Sequence, residues 1–151
     1  MIGKVMGEGR EDRAELYGKR FVKLSLALGV VGAGVILTIS PIVRANLTLS
    51  EQAQGYLRAM MFVMSYFVIA QAYNTTMVVG VFRAGGDTRF GLILDLISLW
   101  GFAIFLGAIA AFVFKAPVIV VYIILLSDEI VKLPATTWRY RTYKWVRNVT
   151  R

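Results

Sequence analysis

The sequence contains no cysteine and no histidine. Their absence excludes disulfide frameworks, thiolate zinc sites, cysteine nucleophiles and histidine general bases. Charge is also scarce: 17% of the 151 residues are charged and 58% are hydrophobic, whereas a soluble domain averages roughly 25% charged and 45–50% apolar. A soluble domain of this length could not bury so much apolar surface. The composition therefore argues against a soluble globular domain and against disorder.

The apolar residues fall in four blocks, which predict an all-α membrane protein with four transmembrane helices. Blocks A, B, C and D cover 21–42, 59–82, 90–114 and 118–133. About 20 helical residues cross a bilayer core, so the first three blocks are long enough. Block D has 16 residues, two of them acidic. It can span the membrane if its polar face is buried against other helices.

Turn-forming residues separate the blocks. Pro41 is predicted to end the helix of block A and Pro134 that of block D, because proline disrupts a helix interior. The two glycines at 85–86 allow a tight turn between blocks B and C. Asp87 or Thr88 is the expected N-cap of the helix in block C.

The distribution of positive charge predicts the orientation in the membrane. Residues 1–23 carry six Lys and Arg, the B–C loop two and the chain from 132 onward six, while the other two loops carry three. By the positive-inside rule, both termini face the cytoplasm and the protein belongs to the cell membrane. Residues 1–20 form a cytoplasmic amphipathic leader without a signal-peptide core, and 134–151 form a basic aromatic tail.

The tail alternates aromatic and basic residues, with aromatics at Trp138, Tyr140, Tyr143 and Trp145. Such a pattern can stack on nucleic acid. It also suits an interfacial belt that anchors a helix at anionic headgroups. Because the segment follows a span directly, we interpret it as a contact with membrane lipid and expect no nucleic acid partner.

Polar residues inside the blocks are the candidate functional residues. Gln71, Asn74 and Thr75 share one helix face in block B, near the expected bilayer midplane. This face can form interhelical hydrogen bonds or line a solute pathway. Asp95, in block C, can couple an ion or form an ion pair near the interface. No catalytic triad, acid/base pair or metal-ligand cluster accompanies these residues, so we expect neither an enzyme nor a metal site.

Two further patterns favour a structural role. Lys132 lies four residues after Asp128 and three after Glu129, which predicts a local ion pair. Small residues recur at every fourth position, which predicts close-packed seams between membrane helices. These seams are Ser25, Gly29 and Ala33 in block A, Thr76, Gly80 and Ala84 in block B, and Ala103, Gly107 and Ala111 in block C.

Three segments resemble the multidrug and toxic compound extrusion (MATE) family of transporters. The run from Val79 to Phe90, with Arg83-Ala84-Gly85-Gly86-Asp87-Thr88 inside it, resembles the family signature at the end of the tenth helix. The leader, with Gly7-Glu8-Gly9 and Tyr17-Gly18-Lys19-Arg20, resembles the segment before a lobe's third helix. Ser40-Pro41-Ile42 is similar to the end of that helix.

The resemblance implies twelve helices in two lobes, with blocks A to D similar to helices nine to twelve. It implies export of small organic cations or drugs in exchange for Na⁺ or H⁺ by alternating access, with no bound cofactor. Gln71, Asn74, Thr75 and Asp95 are then candidates for the substrate or ion pathway. The remaining helices of the transporter would be the partners, without which the chain is incomplete.

Two other hypotheses remain open. The chain can be an inactive remnant or an accessory four-helix membrane subunit. It can also be a small exporter that works as a homodimer. Such exporters use a carboxylate deep within an early helix, and block A has no charged residue beyond Lys23.

Overall fold

A computed structural model describes residues 2–146, and all of their regular structure is helical. Arg147 and Arg151 of the predicted tail lie outside the described residues. The described residues form six helices: α1 (Ile2–Gly7), α2 (Glu11–Asn46), α3 (Glu51–Phe82), α4 (Thr88–Val113), α5 (Val118–Leu126) and α6 (Asp128–Arg141). Three of them, α2 to α4, are long and apolar enough to cross a membrane.

Helix α2 joins most of the leader to block A and continues through Pro41 to Asn46. The prediction that Pro41 ends this helix is therefore wrong. Proline removes one backbone hydrogen bond at a cost of about 3 kcal/mol in a helix interior. Near the end of a span, water or headgroups can satisfy the carbonyl of Leu37 that proline leaves free. After a short link, the Ser50 hydroxyl caps α3 by accepting the Ala53 N–H at 3.3 Å.

Block D is broken at Ser127 into α5, of nine residues, and α6, of 14 residues. The Ser127 hydroxyl donates to the Ile124 carbonyl at 2.6 Å at this break. The expected end at Pro134 is wrong, because α6 runs through that residue to Arg141. Tertiary contacts of Thr136 and Arg139, beyond the proline, hold this continuation in place. A fourth span over block D stays a prediction.

The helices pack in the order α2, α3, then α5 with α6, and α4 lies against the end of α3 and against α5 and α6. Glycine allows two close approaches: a Cβ on Gly29 would lie 3.0 Å from Cα of Ile69, and one on Gly107 would lie 2.8 Å from Cδ2 of Leu125. The seams of blocks A and C are thus confirmed as contact faces. In the seam of block B, Ala84 packs against the buried cluster of the bundle, but Gly80 is exposed, so this seam is not close-packed along its whole length.

The most deeply buried cluster lies at one end of the bundle. We call this end the base; it comprises α1, the turn at residues 83–87 and the end of α6. Phe82 and Trp145 are fully buried in this cluster, next to apolar side chains of α1. Tyr140 stacks on Trp145 with ring centroids 5.9 Å apart. These two aromatics are therefore not part of a lipid-facing belt. Trp138 and Tyr143 are exposed and remain available for the interface.

The turn at the base is fastened to α6. Gly86 has φ 89°, which favours glycine. Asp87 occupies the N-cap position of α4, but its side chain makes no capping hydrogen bond, contrary to expectation. Its carboxylate instead accepts the Arg139 Nε–H at 2.6 Å and is 3% exposed. The guanidinium of Arg139 also lies 4.7 Å from the centre of the Phe90 ring.

Candidate functional site

A polar cleft of about 350 Å³ lies between α3, α4 and α6. Asp95, on its wall, is eight residues beyond Asp87 at the base, which corresponds to about 12 Å of helix. Parts of the two long helices here form widened π-helical turns, at Thr76–Phe82 and Ile97–Ile104. The lining residues are Asn74, Thr75, Val78, Val79, Asp95, Leu99, Asp128, Glu129 and Lys132.

Lys132 is the centre of the charged group in this cleft. Its Nζ lies 3.0 Å from a carboxylate oxygen of Asp128 and 3.4 Å from one of Glu129. The predicted local ion pair is thus confirmed. The same Nζ also lies 3.4 Å from Oδ1 of Asp95 on α4, so the ion pairing joins two helices. The side chain of Lys132 is 8% exposed and that of Asp95 is 46% exposed.

Asn74 connects α3 to the first turn of α6. Its Nδ2 donates to the Glu129 carbonyl at 2.6 Å and to Oε2 of the same residue at 2.9 Å. Its Oδ1 accepts the hydroxyl of Thr136 at 3.2 Å. The Ser98 hydroxyl of α4 donates to the Asp128 carbonyl at 3.1 Å. These bonds satisfy polar groups that would be costly inside a membrane bundle, and they fix the position of the carboxylates.

The group holds three carboxylates around one ammonium. When all are ionised, its formal charge is −2, which attracts cations. Asp128 is buried beside Lys132, whereas Asp95 opens to the cleft. A cleft of about 350 Å³ falls within the usual range of small-molecule sites. The arrangement can therefore accept a small cation that approaches Asp95.

The structure brings together three of the four sequence-predicted site residues. Asn74, Thr75 and Asp95 line the same cleft. Gln71 is exposed and is not among the lining residues, although it shares a helix face with Asn74. Asn74 itself makes the interhelical hydrogen bonds that were one interpretation of this face.

Sequence reasoning missed that Glu129 and Lys132 belong to the same site. Their spacing was a visible signal, but it indicated only a local pair. The missing fact was that Asp95 on α4 lies at the same depth as Lys132 on α6. A useful signal would have been that Asn74 and Asp95 lie at comparable distances along the chain from the turn at residues 85–87. Such spacing puts the two residues at a comparable depth in the bundle.

A second cleft, of about 480 Å³, lies between α2, α3 and α6 and is mainly apolar. Tyr73, next to Asn74 in the chain, is on its wall and shares a hydrogen bond of 3.1 Å with the hydroxyl of Thr137. Polar and apolar clefts thus lie beside the same two helices, α3 and α6.

Among residues 2–146, no three metal-ligating side chains are grouped so as to hold a metal ion.

Comparisons of the chain with family models, with curated proteins and with solved structures found no match. What is established is therefore a helical chain with three helices that can cross a membrane and a charged, partly open cleft between α3, α4 and α6.

Proposed function

We propose that the chain is part of a MATE-type antiporter, in which the polar cleft is a section of the cation pathway. The observation that carries this proposal is the position of Asp95: it opens to the cleft and lies 3.4 Å from Lys132, whose other partners are Asp128 and Glu129. Ionisable groups at this depth are costly in a membrane and typically mark ion or substrate pathways.

The proposed chemistry is a competition among cations for the carboxylates. Lys132 neutralises part of the negative charge while the cleft is empty of substrate. A proton, a sodium ion or an organic cation that reaches Asp95 weakens the ion pair between α4 and α6. Binding in this way changes the interaction between two helices, which is what an exchange cycle by alternating access requires.

The exposed apolar surface supports the presence of further helices. In the most apolar stretch of α2 only 17% of the residues are buried, and in that of α4 only 22%. Phe62 and Trp100 are 67% and 63% exposed. Lipid covers part of this surface, and the remaining helices of a two-lobed transporter would cover the rest. In this proposal α5 and the first part of α6, as far as Leu133, form the fourth span, and both termini are cytoplasmic.

Efflux from cells tests the proposal. The complete transporter is expressed in bacteria that lack their own multidrug pumps, and loss of ethidium is followed by fluorescence. We expect Asp95→Asn and Lys132→Gln to slow efflux about tenfold or more, the scale on which removal of one ionic contact acts. Asp12→Asn, an exposed carboxylate in the leader, is the matched control and should retain the wild-type rate.

Two outcomes would contradict the proposal. If both cleft variants match the control while the wild-type protein exports ethidium, the cleft is not on the pathway. If the wild type exports no ethidium with either Na⁺ or H⁺ as the coupling ion, the hypothesis of an inactive remnant or an accessory subunit is favoured. A homodimeric exporter predicts instead that crosslinking in membranes yields a dimer of this chain that is active without other helices.

A further inference from the structure

A third cleft lies at the end of the bundle opposite the base, between the end of α2 and the start of α3. Its volume is about 430 Å³. Arg44, from α2, and Arg58, from α3, both line it. The rest of the wall is mostly apolar and includes Leu37 and Phe62, with the Ser40 hydroxyl as a further polar group.

The charge of this cleft is unbalanced. Its lining contains two guanidinium groups and no carboxylate. Within residues 2–146, neither arginine forms a salt bridge. The Nε–H of Arg44 is buried and has no hydrogen-bond partner among the described residues. A buried charged donor without an acceptor is costly. An anion beside the same guanidinium group would offset part of that cost.

The depth of the two arginines indicates the environment of the ligand. Arg44 follows block A by two residues, and Arg58 directly precedes block B. Both therefore lie where an apolar span meets the headgroup layer. Leu37 and Phe62 lie toward the apolar side of the same cleft. The cleft thus offers positive charge at headgroup depth and an apolar wall next to it.

We propose that this cleft binds the phosphodiester group of an anionic membrane phospholipid. The guanidinium groups of Arg44 and Arg58 donate to the phosphate oxygens, because the planar fork of arginine suits phosphate geometry. The first part of an acyl chain lies against Leu37 and Phe62. This inference does not depend on transport activity or on the polar cleft.

A lipid fits these observations better than a free phosphate ion. An arginine at a span end usually reaches the headgroups with its side chain extended into water. The Nε of Arg44 is instead packed against protein and closed to solvent, and the cleft beside this side chain has a mainly apolar lining. A free phosphate would leave that apolar wall unfilled, whereas a lipid occupies both parts of the cleft.

Lipid retention during native mass spectrometry tests the proposal. The protein purified from membranes is supplied with phosphatidylglycerol, and bound lipid is counted for the wild type and for Arg44→Gln/Arg58→Gln. We expect retention to fall about tenfold or more in the double variant, as expected for loss of a charge-assisted hydrogen bond. Arg83→Gln, an exposed arginine at the base, is the control and should retain lipid as the wild type does.

Other arms of the experiment can overturn the proposal. Equal retention by the wild type, the double variant and the control would refute it. Inorganic phosphate that displaces phosphatidylglycerol at equal concentration would refute a lipid as the ligand. If circular dichroism shows that the double variant has lost wild-type helicity, lipid retention by Arg58→Gln decides the question. This single variant is suitable because Arg58 is exposed and its loss leaves no cavity.

Discussion

The ion pair between Asp87 and Arg139 is the contact at the base whose loss should be most costly. Its side chains are 3% and 12% exposed, and Nε lies 2.6 Å from Oδ2. Removal of one partner from a buried pair costs about 3–5 kcal/mol, because the other charge stays buried without compensation. We expect this loss for Asp87→Ala. Asp87→Asn keeps an oxygen acceptor for the Nε–H, so its cost should be smaller, about 1.5–3 kcal/mol.

Unfolding in mixed micelles of sodium dodecyl sulfate and dodecyl maltoside, followed by circular dichroism, measures these changes. A double-mutant cycle with Arg139→Ala should give a coupling energy of about 1–3 kcal/mol, since the residues are in direct contact. Glu15→Gln is the control, because it removes an ion pair with Lys19 on the protein surface and keeps an oxygen acceptor for the Tyr143 hydroxyl. It should not change stability measurably. If Asp87→Ala costs no more than this control and the coupling is absent, the assignment of a buried pair is refuted.

Three further predictions concern packing and ionisation. Gly85→Ala should destabilise the protein by about 1–3 kcal/mol, because its Cβ would lie 2.5 Å from Cε3 of Trp145; a wild-type unfolding midpoint in the same micelles would contradict this. Gly29→Val should likewise cost about 1–3 kcal/mol by separating α2 from α3, whereas Gly32→Val, with open space around it, should cost far less; equal losses would rule out a specific contact. Burial raises the pKa of Tyr140 from 10 to about 12, so the unfolded chain loses its proton first and stability should fall as pH rises from about 10 to 12. Tyr140→Phe should reduce this alkaline loss of stability, and an unchanged pH profile would show that another group causes it.

The long helices could be located from sequence because their signal extends over many residues. Helices α2 and α3 contain blocks A and B, and α4 matches block C to within two residues at each end. The ends of α2 and α3 lie within four residues of the block ends, but the two helices begin ten and eight residues before their blocks. Proline was the main source of error. Pro41 and Pro134 each remove one hydrogen bond, yet both helices continue beyond the proline. At Pro134, packing through Thr136 and Arg139 holds the continuation in place. That packing is a tertiary property which a local pattern does not contain.

The candidate site was partly visible for a similar reason. Asn74, Thr75 and Asp95 were found because polar residues inside apolar blocks are rare. Their contacts with Lys132 and Glu129 depend on the relative depth of α3, α4 and α6, which no single helix specifies. Gln71 has the same residue chemistry and a suitable position in the pattern, but it is exposed and is not among the residues that line the cleft.

The aromatic tail shows a different limit. Trp138 and Trp145 stand in the same basic segment, yet the first is 54% exposed and the second is fully buried. A lipid interface and a protein interior both favour aromatic side chains. Residue type therefore could not distinguish the two positions. What distinguishes them is that Trp145 packs against Gly85 and stacks on Tyr140.

The cluster at the base also sets an order of events during synthesis. Ile2, Val5 and Met6 leave the ribosome first among its members, while Trp145 leaves after all the described helices have been made. At a translation rate of about 5–20 residues per second, the roughly 140 residues in between take about 7–28 s to make, and these early side chains wait that long for their partner. Until then α1 exposes an apolar face. The helices can thus enter the bilayer one after another while the base is still open, and the base closes when the segment around Trp145 has been made.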